Sequence, residues 1–325
     1  MTDFKTALIQ DPKLSQITDQ QVFGVRVGAS NNTYQEFAAV SDSASSLIFN
    51  CQLPSESVVL SRDVTLRTKV TLSFASTVGV GQDANGNDTG RNLLYGSDIC
   101  LAPFPLAMGM QSISSQINNS TVSLNLSDIL PQLLCMNDSA MINKWQGTCP
   151  TLRDEVYRKY ADAYASNNNP FSSINTAGYE SFPLPRGAHP VTLSTGVAIA
   201  GTSPVQYQYT LTFETAEPLF LSPYIFGHPD FNLGGFVGIN TVNVNCNMTA
   251  KPDRVLRALD PSIITADSLR WGTTAEANPF KNDIKPALLL NFLSSQSTQL
   301  IPARQVLTYA DFPRYITPQG LFNGG

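Results

Sequence analysis

The sequence predicts a mainly β protein, an antiparallel sandwich or barrel. The first observation behind this is strict alternation. Over 64–74 the even positions are Val64, Leu66, Thr68, Val70, Leu72 and Phe74, and the odd ones are Thr65, Arg67, Lys69, Thr71 and Ser73. The pleat of a strand sends successive side chains to opposite faces, so a period of two marks one face on a core and the other toward water or a polar neighbour. The pattern recurs at 121–126, 205–213 and 242–248, where Val242, Val244, Cys246 and Met248 alternate with Asn243, Asn245 and Asn247. The second observation is turn chemistry. The stretch from Gly79 to Gly90 is rich in Gly and Asn, and Asn85-Gly86 is a hairpin signal because both residues tolerate positive φ.

Taken in order, residues 1–20 read as a mobile or helical arm interrupted by Pro12. Strands are expected at 21–27, 46–53 and 58–74, and the last of these is expected to turn back at Asn85-Gly86. Prolines 103, 105, 131, 150 and 170 mark a loop-rich middle. One helix is expected within it: Leu152, Val156, Tyr160, Ala163 and Tyr164 share a face, and Thr151 with Asp154 forms a start resembling a capping box. Strands resume at 191–200, 205–214 and 241–248. The segments 252–259 and 286–293 are apolar runs too short to separate helix from strand.

Composition narrows the function. Of 325 residues 42% are hydrophobic and 14% are charged, against about 25% charged in an average soluble domain. So neutral a surface fits a protein whose surface is largely covered by neighbouring subunits. The net charge is -5 and no run of Lys or Arg stands at either end, so no arm for neutralising nucleic-acid phosphates is expected. No apolar stretch approaches the ~20 residues needed to span a bilayer, and the N-terminus lacks the pattern of a signal peptide. The cysteines, at 51, 100, 135, 149 and 246, form no Cys-x-x-Cys pair and are odd in number, which reads as a reduced set. Cys246 takes an inward strand position, where a thiol behaves as a small hydrophobe.

Groups that titrate or coordinate are sparse. The only histidines are His189 and His228, and His228 with Asp230 offers at most two ligands where a metal site needs more. Asp83, Asn85 and Asn87 have the spacing of a calcium loop, but position 88 is Asp where that loop requires Gly, and position 94 is Leu where it requires Glu. Calcium held between subunits by Asp83 or Asp88 stays open. Gly79-Val80-Gly81 lacks the rest of a dinucleotide fingerprint. No catalytic, cofactor-binding or metal-ligating residue is nominated, and no cofactor is expected. Phe220, Tyr224 and Phe226 could stack on sugars, or could fill a core or an interface. Arg67 and Lys69 would either contact a partner or blunt a sheet edge.

The segment from Glu217 to Gly227, followed by Gly234-Gly235-Phe236-Val237-Gly238-Ile239-Asn240 and the alternating strand after it, resembles major capsid proteins of small viruses. The resemblance is to the jelly-roll type, within the double jelly-roll lineage. Pro103-Phe104-Pro105-Leu106, the strand at 121–126 and Pro185-Arg186-Gly187-Ala188-His189-Pro190 look like further parts of the pattern, which covers roughly 95–250. It implies antiparallel jelly-roll sandwiches, as one elaborated or two compact rolls with a few short helices in loops. The expected organisation is an arm over 1–20, a first jelly-roll-like region over 21–200 with a helical insertion near 150–165, and a second β region over 201–325. The implied function is a non-enzymatic capsid protein of the virion, assembled in the host cell. Its implied partners are itself, as a trimer or pentamer within a shell, and other virion proteins. The alternatives are a phage tail or fibre component or a carbohydrate-binding sandwich. A β-rich hydrolase would need two carboxylates facing across a groove, and no spacing nominates such a pair.

Overall fold

The computed structural model describes residues 7–10, 23–26, 31–54, 58–82, 88–95, 98–136, 191–225, 235–258, 260–294, 309–310 and 312. The chain runs through β1 (Ala7–Gln10), β2 (Phe23–Arg26), β3 (Asn31–Ala38), β4 (Ser41–Asp42), β5 (Ser46–Gln52), β6 (Val58–Ser61), β7 (Thr65–Ser76), β8 (Gly81–Gln82), β9 (Asp88–Thr89) and β10 (Ile99–Leu101). Helix α1 (Pro105–Met108), β11 (Met110–Ile117), β12 (Ser120–Leu124) and helix α2 (Leu126–Met136) follow. Next come β13 (Val191–Leu193), β14 (Val197–Ile199), β15 (Gln206–Pro218), β16 (Gly235–Phe236), β17 (Thr241–Met248), β18 (Leu256–Ala258), β19 (Arg270–Trp271) and β20 (Ala287–Ser294).

Two antiparallel sheets form the body. The front sheet has the order β12-β11-β17-β5-β4. In the back sheet β15 pairs with β7, and β20 pairs with β7 through 287–289 and with β6 through 292–294, while its other edge carries β3. Strands β6 and β7 thus lie along one line, interrupted at 62–64, where the strand expected over 58–74 breaks. Arg62 causes the interruption by turning inward: its guanidinium sits 5.2 Å over the Phe236 ring and donates to the Pro223 carbonyl at 3.1 Å.

The principal strands in chain order are β3, β5, β6 with β7, β11, β12, β15, β17 and β20. Every connection between them crosses from one sheet to the other except the hairpin from β11 to β12. That is the connectivity of a jelly roll, and it hides most strand edges by laying two sheets face to face. Strands β15, β17 and β20 lie beyond residue 200, yet each hydrogen-bonds to strands from before it. The described strands between 31 and 294 make up these two packed sheets. Alternation reports that a segment is a strand, but not which distant strand it pairs with.

Between the sheets, Leu47, Phe49 and Cys51 from β5 and Val242, Val244 and Cys246 from β17 meet Leu72, Phe74, Leu211, Phe213, Leu288 and Leu290. Cys51, Cys100 and Cys246 are free and buried. Strand β7 has neighbours along both sides for most of its length. Beyond β20, its edge is taken up by β19 and by backbone bonds to Ile263, Ala75 being joined to Thr265 and Thr71 to Pro279 and Gly272. Arg67 and Lys69 therefore blunt no edge. The same cover explains why Thr71 and Ser73, expected to face outward, are buried.

Several sequence expectations shift at their ends. Ala7–Gln10, expected as part of an arm, pairs with Phe23–Arg26. Strands β8 and β9 pair antiparallel, Asn85-Gly86 lies outside the described residues, and the long strand itself pairs with β15. The runs at 252–259 and 286–293 both contain strands, β18 and β20. Helix α2 was not expected, because Pro131 inside it reads as a loop signal; it buries Leu126, Ile129, Leu130 and Leu133 at helical spacing. The helix expected near 150–165 lies outside the described residues.

Candidate assembly surfaces

The outer face of the front sheet is built by register. Asn243 lies between Asn50 and Gln116, Asn245 between Ile48 and Ser114, and Asn247 between Ser46 and Ser112. Strand β12 extends two of these rows with Thr121 and Ser123. No outward position of β5, β11, β12 or β17 carries a charge. Cross-strand bonds tie the face together: the Asn247 amide donates to Ser112 Oγ at 2.9 Å, and the Asn243 amide to Gln116 Oε1 at 3.4 Å. The carbonyl oxygens of Asn243 and Asn245 accept no hydrogen bond. Ile48, 40% exposed, is the single large apolar side chain of the face.

The outer face of the back sheet has different chemistry. It carries Arg67 and Lys69 on β7, Glu214 on β15 and Glu36 on β3. Lys69 Nζ lies 2.7 Å from Asp283. Part of this face is covered by the segment 260–283. Among the described residues, no strand pairs the outer edge of β12 or of β3, where Tyr34 is 72% exposed.

Below the loops, polar groups anchor chain to chain. Arg91 makes a two-pronged pair with Asp98 at 2.6 and 2.7 Å, and Asp98 also accepts the Leu94 N–H. Burial pushes the Asp98 carboxyl up, but the Arg91 and Leu94 hydrogen bonds and the Arg91 charge outweigh it and hold the group below the usual carboxylate range. The Tyr209 hydroxyl donates to the Val78 carbonyl at 2.9 Å and accepts the Leu93 N–H at 3.2 Å. An open groove of about 460 Å³ lies between β18 and the segment that follows it, lined by Leu256, Pro261, Ile264 and Leu269 with Asp253 and Asp267.

Two of the residues singled out for chemistry lie in the core. Phe220 and Tyr224 are 1% exposed: Phe220 packs edge-on against Phe104, Tyr224 edge-on against Phe236, and the Tyr224 hydroxyl bonds Ser115 Oγ at 2.9 Å. They belong to the core and cannot stack on a sugar. Phe226, His189, His228, Asp230, Asp83, Asn85 and Asn87 lie outside the described residues. Among the described residues no three His, Cys, Asp or Glu side chains gather as a metal site, and no helix is long and apolar enough to cross a membrane. Sequence reasoning missed the charge-free face. Its signal was present in the odd positions of 241–247 but became a face only once pairing placed β5 and β11 beside them.

Comparison with known proteins covers nearly the whole chain. Residues 2–293 match the family described as Sputnik virophage major capsid protein 1st domain. The capsid protein V20 of Sputnik virophage is 25% identical over 313 residues, 95% of this chain and 48% of that protein. The chain thus spans about half the length of the curated relative it matches. The cryo-EM structure of the Sputnik virophage superposes with a TM-score of 0.57 at 20% identity, over 90% of this chain and 53% of that one. The mavirus major capsid protein gives a TM-score of 0.48 at 15% identity, over 84% and 49%.

Proposed function

The chain belongs to the family of the Sputnik virophage major capsid protein first domain, and from that premise we propose that it is a shell-building unit of a virion, acting by self-association and without catalysis. The observation that carries this is the jelly-roll arrangement of the described strands between 31 and 294, with the chemical contrast between its two outer faces. A shell needs subunits with closed sheets and broad, shape-defined contacts, and a face without ionised groups loses little when water is removed from it. Trimers are the expected first assembly, with other virion proteins as further partners.

Electron microscopy of the purified protein, with light scattering after size exclusion, tests the reading. Trimers, pentamers or shells are the expected result. A monomer that persists at high concentration across salt and pH would overturn it. The sugar-binding alternative has lost Phe220 and Tyr224, two of the three aromatics named for it, to the core.

A further inference from the structure

We propose that the outer face of the front sheet docks against the same face of a second copy of this chain. The inference deepens the self-association reading and rests on it. Its first ground is charge. Each copy carries a net charge of -5, so two copies repel in general, and approach costs least where neither presents an ionised group. The outward positions of β5, β11, β12 and β17 form such a region, whereas the back sheet presents Arg67, Lys69, Glu36 and Glu214. Removing an ion from water costs far more than removing an amide or hydroxyl, whose cost a new hydrogen bond can offset.

The second ground is self-complementarity. Ser, Thr, Asn and Gln side chains both donate and accept, so a face built from them matches a copy of itself across a twofold axis. The middle of the face is already short of donors: the Asn243 and Asn245 carbonyl oxygens are shielded from solvent and accept nothing. A side-chain rotation of either amide toward a facing hydroxyl or amide would satisfy it. Ile48 lies in the same row as Asn245 and Ser114, which gives the contact one apolar side chain toward its β5 side.

The third ground is shape and size. The register of β17 against β5 runs unbroken from Thr241 to Asn247, so the face is a continuous sheet surface. Strands about 4.8 Å apart with a rise of about 3.4 Å per residue give it roughly 500 Å². That is less than the ~800 Å² per partner of a complex that is stable alone. The contact is therefore weak singly and effective when repeated among many copies.

Two charge variants test it. One carries Asn50→Lys with Ser114→Lys, the other Asn50→Glu with Ser114→Glu; all four changes stand at outward positions, and unchanged thermal unfolding checks the fold. Each variant alone is expected to associate about tenfold or more weakly than the parent protein in light scattering, and a one-to-one mixture to recover association. Association of each variant at the parental level would overturn the proposal. So would a mixture that stays as weak as its components, since the face would then meet some other surface. A parent protein that never associates is a separate result, which removes the self-association reading itself along with this contact.

Discussion

Glu217 caps α1 from across the sandwich: its Oε2 accepts the Ala107 N–H at 2.8 Å, while Oε1 takes the Leu106 N–H and the Thr215 hydroxyl, both at 2.8 Å. The carboxylate is 1% exposed and the helix lies 110 residues away in sequence. Glu217→Ala leaves two buried backbone donors without their acceptor, at roughly 1–3 kcal/mol each. The expected loss is about 3 kcal/mol in denaturant unfolding. Glu217→Gln, which keeps one side-chain acceptor, is expected to lose less.

The same residue shows where sequence reading stops. Alternation over 205–213 gave the strand, but the observed β15 runs on to Pro218, because Thr215 and Glu217 keep pointing inward after the apolar residues end. Glu217 takes its partners from α1 and Thr215 bonds Glu217, an arrangement that no local pattern reveals. Strand β11 was missed for a like reason. Its inward row is Ile113, Ser115 and Ile117, and Ser115 breaks the apolar period because it bonds Tyr224, 109 residues on. Edge strand β3 has only Phe37 as an apolar inward residue, so it gave no alternation either. By contrast, β17 matched its expected limits, since its inward residues are all apolar and its outward ones all polar.

Tyr224→Phe isolates the bond to Ser115. The phenyl ring still fills the site against Phe236, but the Ser115 hydroxyl, 0% exposed, loses its partner. The expected cost is about 1 kcal/mol of stability, with no change in self-association. A gain or loss of glycan binding in this variant would contradict the core assignment.

The protein is expected to be labile in alkali. Burial pushes the Cys51 and Cys246 thiols up to about 12 from an ordinary 9.0. Above pH 9 the unfolded chain releases these protons and the folded chain holds them. The stabilisation is thus fully present below pH 9 and is lost as pH rises toward 12, at no more than ~1.4 kcal/mol per pH unit for each thiol. Unfolding free energies measured across this window should flatten in a Cys51→Ala, Cys246→Ala double variant. Both thiols should also resist alkylation until the protein unfolds.

Gly109 is a packing requirement set by Trp271. A Cβ at Gly109 would stand 2.4 Å from Trp271 Cη2 and 2.5 Å from Cζ2, so Gly109→Ala must displace the ring. The indole N–H now donates to the Thr249 carbonyl at 2.6 Å, and that bond is expected to weaken. About 1–3 kcal/mol of stability should be lost through overpacking. In a Trp145→Phe background Trp271 is the remaining tryptophan, and its emission should shift to longer wavelength.

Asn282 and Asp283 separate a half-buried clip from a surface ion pair on adjacent residues. The Asn282 amide donates to the Lys69 carbonyl at 3.0 Å and the Pro279 carbonyl at 2.9 Å, and its oxygen accepts the Thr71 hydroxyl at 3.2 Å. Those bonds hold the segment over 279–283 to the outer side of β7. Asp283 pairs with Lys69, but its side chain is 71% exposed, so solvent screens the attraction. Asp283→Ala is expected to leave stability nearly unchanged, with a small dependence on salt. Asn282→Ala is expected to cost about 1–2 kcal/mol and to raise hydrogen exchange at Thr71 and along 270–283 specifically. Equal effects from the two variants would mean that charge, and not the amide clip, holds this cover against the back sheet.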